Sequence, residues 1–345
     1  EKEQRRSTAR FGASVAARHW NVWSRSIPLY RLSCRRRAAL LADFAAWANQ
    51  CGRFALPAVF LTCGQPVFYR PGGAGARWAF DHRRGCSTGF GGNDPQRVDY
   101  GKIYAARLPL LRRAFARAGT QLRAEATAFA EENAAWLPDY ALFMALKQHF
   151  GMRAWTQWDD ADIRLRKKGA LASWSAKLRE DVSFFCFIQY LFYQQWDALQ
   201  AYAHEKGVRL IGDLPIYVAM DSADVWAGPE NFLLDDTCTP LAVAGVPPDS
   251  FSADGQLWGN PLYRWDAMRK DGYRWWMARI ASAARLYDVL RIDHFRGLES
   301  YWSVPLWGYK RLQRTLGKRT GAWTSSQHCA QRFPSLPIIA EDSAI

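Results

Sequence analysis

Apolar residues recur every three or four positions through much of the central sequence, which predicts amphipathic helices. One helix follows Tyr100, a helical block spans residues 126–151, and another helix ends at Gly207. This last helix places five apolar residues on one face: Phe184, Ile188, Leu191, Phe192 and Trp196. A later helix carries four more: Trp276, Met277, Ile280 and Leu286. The helices alternate with short apolar runs, so we expect an α/β fold.

Three of those apolar runs predict buried parallel strands, and each ends on a carboxylate. They cover residues 208–213, 288–293 and 336–342. Each carboxylate could cap a following helix by accepting backbone N–H bonds. In an α/β barrel, however, strands present catalytic groups at their carboxyl ends, and Arg291 and His294 flank the second run. Because two opposed carboxyls carry out glycoside chemistry, we favour a catalytic site of that kind.

Basic charge is concentrated in the flanks of the sequence. Residues 1–90 hold 15 Lys/Arg and 4 Asp/Glu, for a net charge of +11, and residues 306–345 are at +4. The centre, residues 91–305, is at −1. This charge suggests an alternative function, nucleic-acid binding. Such binding would weaken steeply with salt. No nucleic-acid-binding motif accompanies it, so we predict no nucleic-acid partner.

Cysteine usage and hydropathy predict a reduced, cytoplasmic setting. The seven cysteines form no CxxC pair, which is typical of reduced thiols. No apolar run is long enough to cross a bilayer and no secretory signal is present, so we expect no membrane association. The sequence begins with Glu1, and we expect the true start to lie upstream. Dinucleotide, P-loop, zinc-protease and serine-hydrolase motifs do not occur, so no metal or organic cofactor is predicted.

Four segments, in this order and spacing, resemble those of a known family. They are residues 211–218 (IGDLPIYV), residues 247–263 (with PPDSFS and GQLWGNPLY), residues 291–297 (RIDHFRG) and residues 338–342 (IIAED). They are similar to the amylomaltases, the 4-α-glucanotransferases of the α-amylase clan that include the plant disproportionating enzymes. The resemblance implies transfer of α-1,4-glucan segments between glucose or maltodextrin acceptors.

The resemblance also implies a fold and a division of the chain. We expect a (β/α)8 TIM barrel, incomplete here, with its core in residues 91–305 and a helical insertion around residues 101–180. Residues 333–345 would supply a further barrel strand. Beyond this point, the family continues with more strands and a third catalytic carboxylate. Residues 1–90 and 306–332 do not resemble the family, which suggests out-of-frame translation; resequencing the DNA and finding an uninterrupted frame would refute this hypothesis.

The family's mechanism, carried over to matching positions, assigns the chemistry to three residues. Asp293 would be the nucleophile, and Glu341 would act first as acid and then as base. Their carboxyls would lie about 5 to 5.5 Å apart, as in retaining enzymes. Arg291 would bond Asp293 and hold it ionised, and Glu341 would have a raised pKa.

The resemblance assigns a further set of residues to binding maltooligosaccharides: Asp213, Tyr217, Asp249, Ser252, Trp258 and His294. Asp213 and His294 would bond glucose hydroxyls, and Trp258 would stack on an acceptor sugar. His294 could instead pack against a neighbouring strand, and Trp258 could simply plug its loop. Hydrolysis, or glucan binding without turnover, is the alternative function. The sequence carries no signal for an oligomeric state.

Overall fold

A computed structural model describes residues 100–205, 207–248, 252–305, 315–318, 329 and 331–341. The first part of this structure is helical. Its helices are α1 (Tyr100–Arg117), α2 (Thr120–Glu132), α3 (Leu137–His149), α4 (Ala161–Arg164), α5 (Lys168–Lys177) and α6 (Arg179–Glu205). Short helix α7 (Ala223–Ala227) follows, and then α8 (Trp265–Lys270) and α9 (Arg274–Leu286). No helix within these described ranges is long and apolar enough to span a membrane.

Helix α6 forms much of the core, as its apolar spacing predicts. Phe184, Ile188, Phe192 and Trp196 are buried, and the first turn carries Glu180 and Asp181, which favour a helix N-terminus. The predicted single block over residues 126–151 is wrong in one respect, because α2 and α3 are separate helices. The chain turns at residues 133–136, and Pro138 occupies the first turn of α3, where proline is tolerated.

Three parallel strands form the sheet that carries the predicted carboxylates. Strands β1 (Ile211–Pro215), β4 (Val289–Asp293) and β7 (Ile338–Ala340) pair in the order β1-β4-β7. The register places Asp213 opposite Arg291 and Arg291 opposite Ile339. Gly212 leaves room for the Tyr287 ring, which a side chain at this position would strike. The strands predicted from the apolar runs are therefore confirmed, with shorter bounds.

A second, antiparallel sheet follows β1 and was not predicted from the sequence. It consists of β2 (Ala242–Val246), β3 (Gln256–Pro261), β5 (Ser300–Pro305) and β6 (Thr315–Lys318), in the order β3-β2-β5-β6. Strand β3 includes Trp258, which was expected to lie in a loop. This sheet positions Trp258 beside the carboxyl ends of the parallel strands, where it contacts His294.

An ion pair between the buried Lys147 and the partly exposed Asp221 joins the helical part to the segment after β1. The Lys147 ammonium bonds the Asp221 carboxylate at 2.6 Å and the carbonyls of Met152 and Arg153 at 3.0 and 2.8 Å. The Lys147 side chain is 8% exposed. Asp221 also accepts the backbone N–H of Trp155 at 3.1 Å. The pair therefore fixes the approach of α3 to the loop that carries Tyr217.

Replacing Lys147 by Met should lower the free energy of unfolding by about 2 to 4 kcal/mol, because two carbonyls and a carboxylate lose their buried partner. Urea denaturation would measure the loss. The matched control is Lys167→Met, since the Lys167–Asp162 pair has the same 2.6 Å distance but side chains 61% and 58% exposed. This control should lose about 0.5 kcal/mol or less. Equal losses in the two variants would contradict a stabilising role for the buried pair.

Candidate active site

Arg291 connects three carboxylates at the carboxyl ends of the parallel strands. Its guanidinium lies 2.6 Å from Asp213, 3.3 Å from Asp293 and 3.1 Å from Glu341. Arg291 and Asp293 are two residues apart on β4, so their side chains share a face of the strand. The parallel register brings Asp213 from β1 to the same face. One carboxylate from each of the three predicted runs, Asp213, Asp293 and Glu341, therefore meets the same cation.

Glu341 is also held by the backbone that follows β4. His294 has left-handed backbone angles, φ 51° and ψ 48°, a conformation in which His is enriched among residues other than glycine. Its N–H donates to the Glu341 carboxylate at 3.0 Å. The N–H of Phe295 donates to the Glu341 carbonyl at 3.0 Å, and the Glu341 N–H donates to the Ile292 carbonyl at 3.0 Å. The sharp turn after Asp293 therefore fixes both the main chain and the side chain of Glu341.

The Asp293 and Glu341 carboxyls hydrogen-bond each other, and this contact controls their protonation. Burial and the bond to Glu341 raise the pKa of Asp293 to about 6, although Arg291 acts in the opposite direction. The bond from Asp293, the His294 N–H and the Arg291 charge lower the pKa of Glu341. Below about pH 6, the two carboxyls therefore share one proton.

Two expectations about pKa need correction. The pKa of Glu341 is lowered rather than raised, because Glu341 receives the bond from Asp293, the backbone N–H bond of His294 and the charge of Arg291. Arg291 does not bring the pKa of Asp293 down to its ordinary value, because burial and Glu341 outweigh its charge.

The shared proton predicts a distinctive pH dependence. With maltotriose, whose leaving sugar must be protonated, kcat/KM should fall about tenfold per pH unit above pH 6, where the pair loses its proton. α-Glucosyl fluoride needs no acid, because fluoride departs as an anion, so its kcat/KM should instead rise through pH 6 to a plateau. Initial rates for both substrates between roughly pH 5 and 8 test this. Identical profiles would contradict the shared proton.

Aromatic residues form the other side of the site. The Trp258 indole is 37% exposed and meets the His294 ring edge to face, with centroids 5.2 Å apart. Its Nε1 donates to the Gln256 side chain at 3.0 Å. Tyr217 is only 7% exposed, with ring centroids 6.2 Å from Trp258 and 5.8 Å from Tyr263. Trp258 therefore offers a face for stacking, whereas Tyr217 lies in a position that supports Trp258.

The remaining predicted binding residues lie in the segment between β2 and β3. Ser252 is partly buried, and its hydroxyl donates to the Gly255 carbonyl at 2.9 Å, which closes a turn. Asp249 lies outside the described residues. The contribution of Gln256 was missed in the sequence, because no local pattern shows that its side chain holds the Trp258 indole. The bond from the His294 N–H was missed for the same reason, since left-handed backbone at a histidine leaves no periodic signal.

Paired carboxyls at the carboxyl ends of neighbouring parallel strands define a class of protein, the α/β barrels that act on glycosidic bonds. A family model described as 4-alpha-glucanotransferase (Glyco_hydro_77) matches residues 74–344. The chain belongs to this family. Its parallel strands β1, β4 and β7 are thus part of a (β/α)8 barrel of the α-amylase clan, the fold class expected from the sequence.

Individual relatives agree with this assignment. The chain is 48% identical over 217 residues to a 4-alpha-glucanotransferase of Streptococcus pneumoniae, covering 62% of this chain and 43% of that protein. It is 45% identical over 253 residues to one of Thermus thermophilus, covering 72% and 50%. The structure of amylomaltase from Streptococcus agalactiae in complex with acarbose aligns with a TM-score of 0.70 and 41% identity, covering 74% of this chain and 52% of that one. The chain spans about half the length of these relatives.

Proposed function

We propose that this protein transfers α-1,4-linked glucan segments between maltooligosaccharides by a retaining double displacement. The observation that carries the proposal is the pair of carboxylates, Asp293 and Glu341, that both contact Arg291, at 3.3 and 3.1 Å. Such a pair supplies both a carboxylate nucleophile and a proton donor at one glycosidic bond. Family membership supports the choice of α-glucans as substrates.

In the first displacement, Glu341 must carry the proton and Asp293 must be ionised. Their hydrogen bond provides the route, because the proton can pass from Asp293 to Glu341 within the pair. An Asp293 oxygen then attacks the anomeric carbon as the bond to the leaving glucan breaks. The Glu341 proton moves to the departing oxygen. The products are a glycosyl ester on Asp293 and an ionised Glu341.

In the second displacement, Glu341 removes the proton from a hydroxyl of the incoming sugar. That hydroxyl oxygen attacks the anomeric carbon, and the ester bond to Asp293 breaks. Configuration at the anomeric carbon is retained, because it inverts twice. Arg291 stabilises the carboxylate charge that alternates between the two residues, since it bonds both.

Transfer rather than hydrolysis requires a sugar, not water, to intercept the glycosyl ester. Trp258 favours the sugar, because its partly exposed indole can stack on an acceptor ring next to His294. A held acceptor has a high effective concentration compared with freely diffusing reactants. The bond from Trp258 to Gln256 limits the freedom of the indole before the acceptor arrives.

Incubation of the purified chain with maltotriose, followed by chromatography of the products, tests this function. Transfer should give glucose together with a ladder of longer maltodextrins. Glucose and maltose without longer products would identify a hydrolase. Binding of maltotriose without any product would identify a glucan-binding protein and contradict the proposed activity.

We also propose a cytoplasmic location and no nucleic-acid partner. The seven cysteines without a CxxC pair and the near-neutral centre of the sequence support these two proposals. Fractionation of cells that express the chain, and DNA binding assayed across a salt series, are the corresponding tests. Recovery outside the cytoplasm, or salt-sensitive DNA binding, would contradict them.

A further inference from the structure

Gly297 lies next to the His294 side chain. It belongs to the 3-10 turn Phe295–Leu298 and is buried. A Cβ atom at Gly297 would lie 2.8 Å from His294 Cδ2, 3.3 Å from His294 Nε2 and 2.7 Å from Ile216 Cδ1. These distances are shorter than ordinary van der Waals contact between heavy atoms. The imidazole therefore occupies space that exists only because residue 297 has no side chain.

The His294 backbone cannot easily move away from such a contact. Its N–H bonds the Glu341 carboxylate at 3.0 Å, and its carbonyl accepts the Gly297 N–H at 2.8 Å. The imidazole also meets the Trp258 indole edge to face, with ring centroids 5.2 Å apart. A side chain at position 297 would therefore displace the imidazole and alter its contact with Trp258.

We propose that Gly297 is a positioning residue that sets the location of the His294 imidazole and, through it, of the Trp258 indole. The functional part of this inference rests on the proposed transferase activity. Gly297 thereby couples the turn that holds Glu341 to the aromatic side where an acceptor sugar would stack. Replacing Gly297 by Ala should shift the imidazole and the indole together and disturb the acceptor side of the site.

Histidine-selective NMR spectroscopy tests the positioning without requiring activity. The chain has six histidines, and His294→Asn identifies the His294 resonance by its loss. Asn is a suitable replacement because it tolerates the left-handed backbone. In Gly297→Ala the His294 resonance should move, since its orientation to the Trp258 ring current changes. The control Gly169→Ala, where a Cβ would meet nothing within 4 Å, should leave it in place.

Transfer kinetics test the functional part. Gly297→Ala should lower kcat/KM for maltotriose about 10- to 100-fold, the scale of a small misplacement of reacting groups. Ile216→Val removes the Cδ1 atom. It therefore distinguishes the effect of the contact with Ile216 from the effect of the contact with His294. The loss and the NMR shift should persist when Gly297→Ala is made in the Ile216→Val background, because the contact with His294 remains.

The double variant with His294→Gly completes the cycle. Glycine tolerates the left-handed backbone and has no side chain, so it leaves room for a Cβ at position 297, and Gly297→Ala should have little further effect on kcat/KM in that background. If Gly297→Ala alone fails to fold, this double variant should fold. Three results would each overturn the proposal. They are a His294 resonance that does not move, a recovery of kcat/KM when Ile216→Val is added to Gly297→Ala, and failure of the double variant to fold. An inactive wild-type chain would contradict the proposed function, while the resonance shift would still decide the positioning.

Discussion

Replacing Asp293 by Asn should lower maltotriose transfer by at least about 10⁴-fold, the scale seen when a covalent nucleophile is lost. The amide is nearly isosteric with the carboxylate but cannot form the glycosyl ester. Arg291 keeps its contacts with Asp213 and Glu341 at 2.6 and 3.1 Å, so the site should retain its charge balance and fold. Product chromatography against a time course of the wild type measures the loss.

The matched control for this substitution is Asp266→Asn, which removes a carboxylate paired with Arg269 at 2.9 Å on the exposed surface of α8. It should leave transfer unchanged. Asp293→Asn should also remain inactive towards α-glucosyl fluoride, because an activated leaving group does not replace a nucleophile. Retention of more than about one hundredth of wild-type transfer by Asp293→Asn would place the nucleophile elsewhere, with Asp213 the first candidate.

Replacing Glu341 by Gln should lower transfer from maltotriose by about 10²- to 10⁴-fold, the usual contribution of a general acid and base. The Gln carbonyl can still accept the His294 N–H, so the turn after β4 should be preserved. Asp293 loses the partner that raises its pKa and should be ionised at lower pH. The effect of this variant is therefore on proton transfer rather than on the nucleophile.

The choice of substrate distinguishes this role from general disruption of the site. Formation of the glycosyl ester from α-glucosyl fluoride should be nearly as fast in Glu341→Gln as in the wild type, because fluoride needs no proton. Single-turnover rates with the fluoride and with maltotriose give the comparison. Equal losses with both substrates would mean that Glu341 is not the acid, and that its replacement distorts Asp293.

The meeting of carboxylates at the strand ends could be predicted from sequence because their positions follow from simple local patterns. The apolar runs ending at Asp213 and Asp293, and the one that includes Glu341, have the length and composition of buried strands. Parallel strands carry their carboxyl ends to the same edge of a sheet. The two-residue spacing of Arg291 and Asp293 then places both side chains on one face. The observed register agrees with this reasoning.

Other parts of the site depend on tertiary contacts and leave no local pattern. The antiparallel sheet that holds Trp258 pairs residues as distant in sequence as Ala242 and Pro305, and glycines with positive φ lie just before β3, at 255, and within it, at 259. The left-handed backbone of His294 opens a turn in which the Gly297 N–H donates to the His294 carbonyl. The pKa values of Asp293 and Glu341 depend on the distribution of burial and hydrogen bonds between them. The sequence shows the identity of these groups but not which of them holds the proton.

Trapping the glycosyl ester tests the central claim most directly. Glu341→Gln should accumulate the ester from α-glucosyl fluoride, because the base that activates the acceptor is missing. Rapid acid quench, proteolysis and mass spectrometry should then find one glucosyl adduct, on the peptide that contains Asp293, and none when Asp293→Asn is added. An adduct on another carboxylate, or turnover of the fluoride without any adduct, would contradict retaining transfer through Asp293.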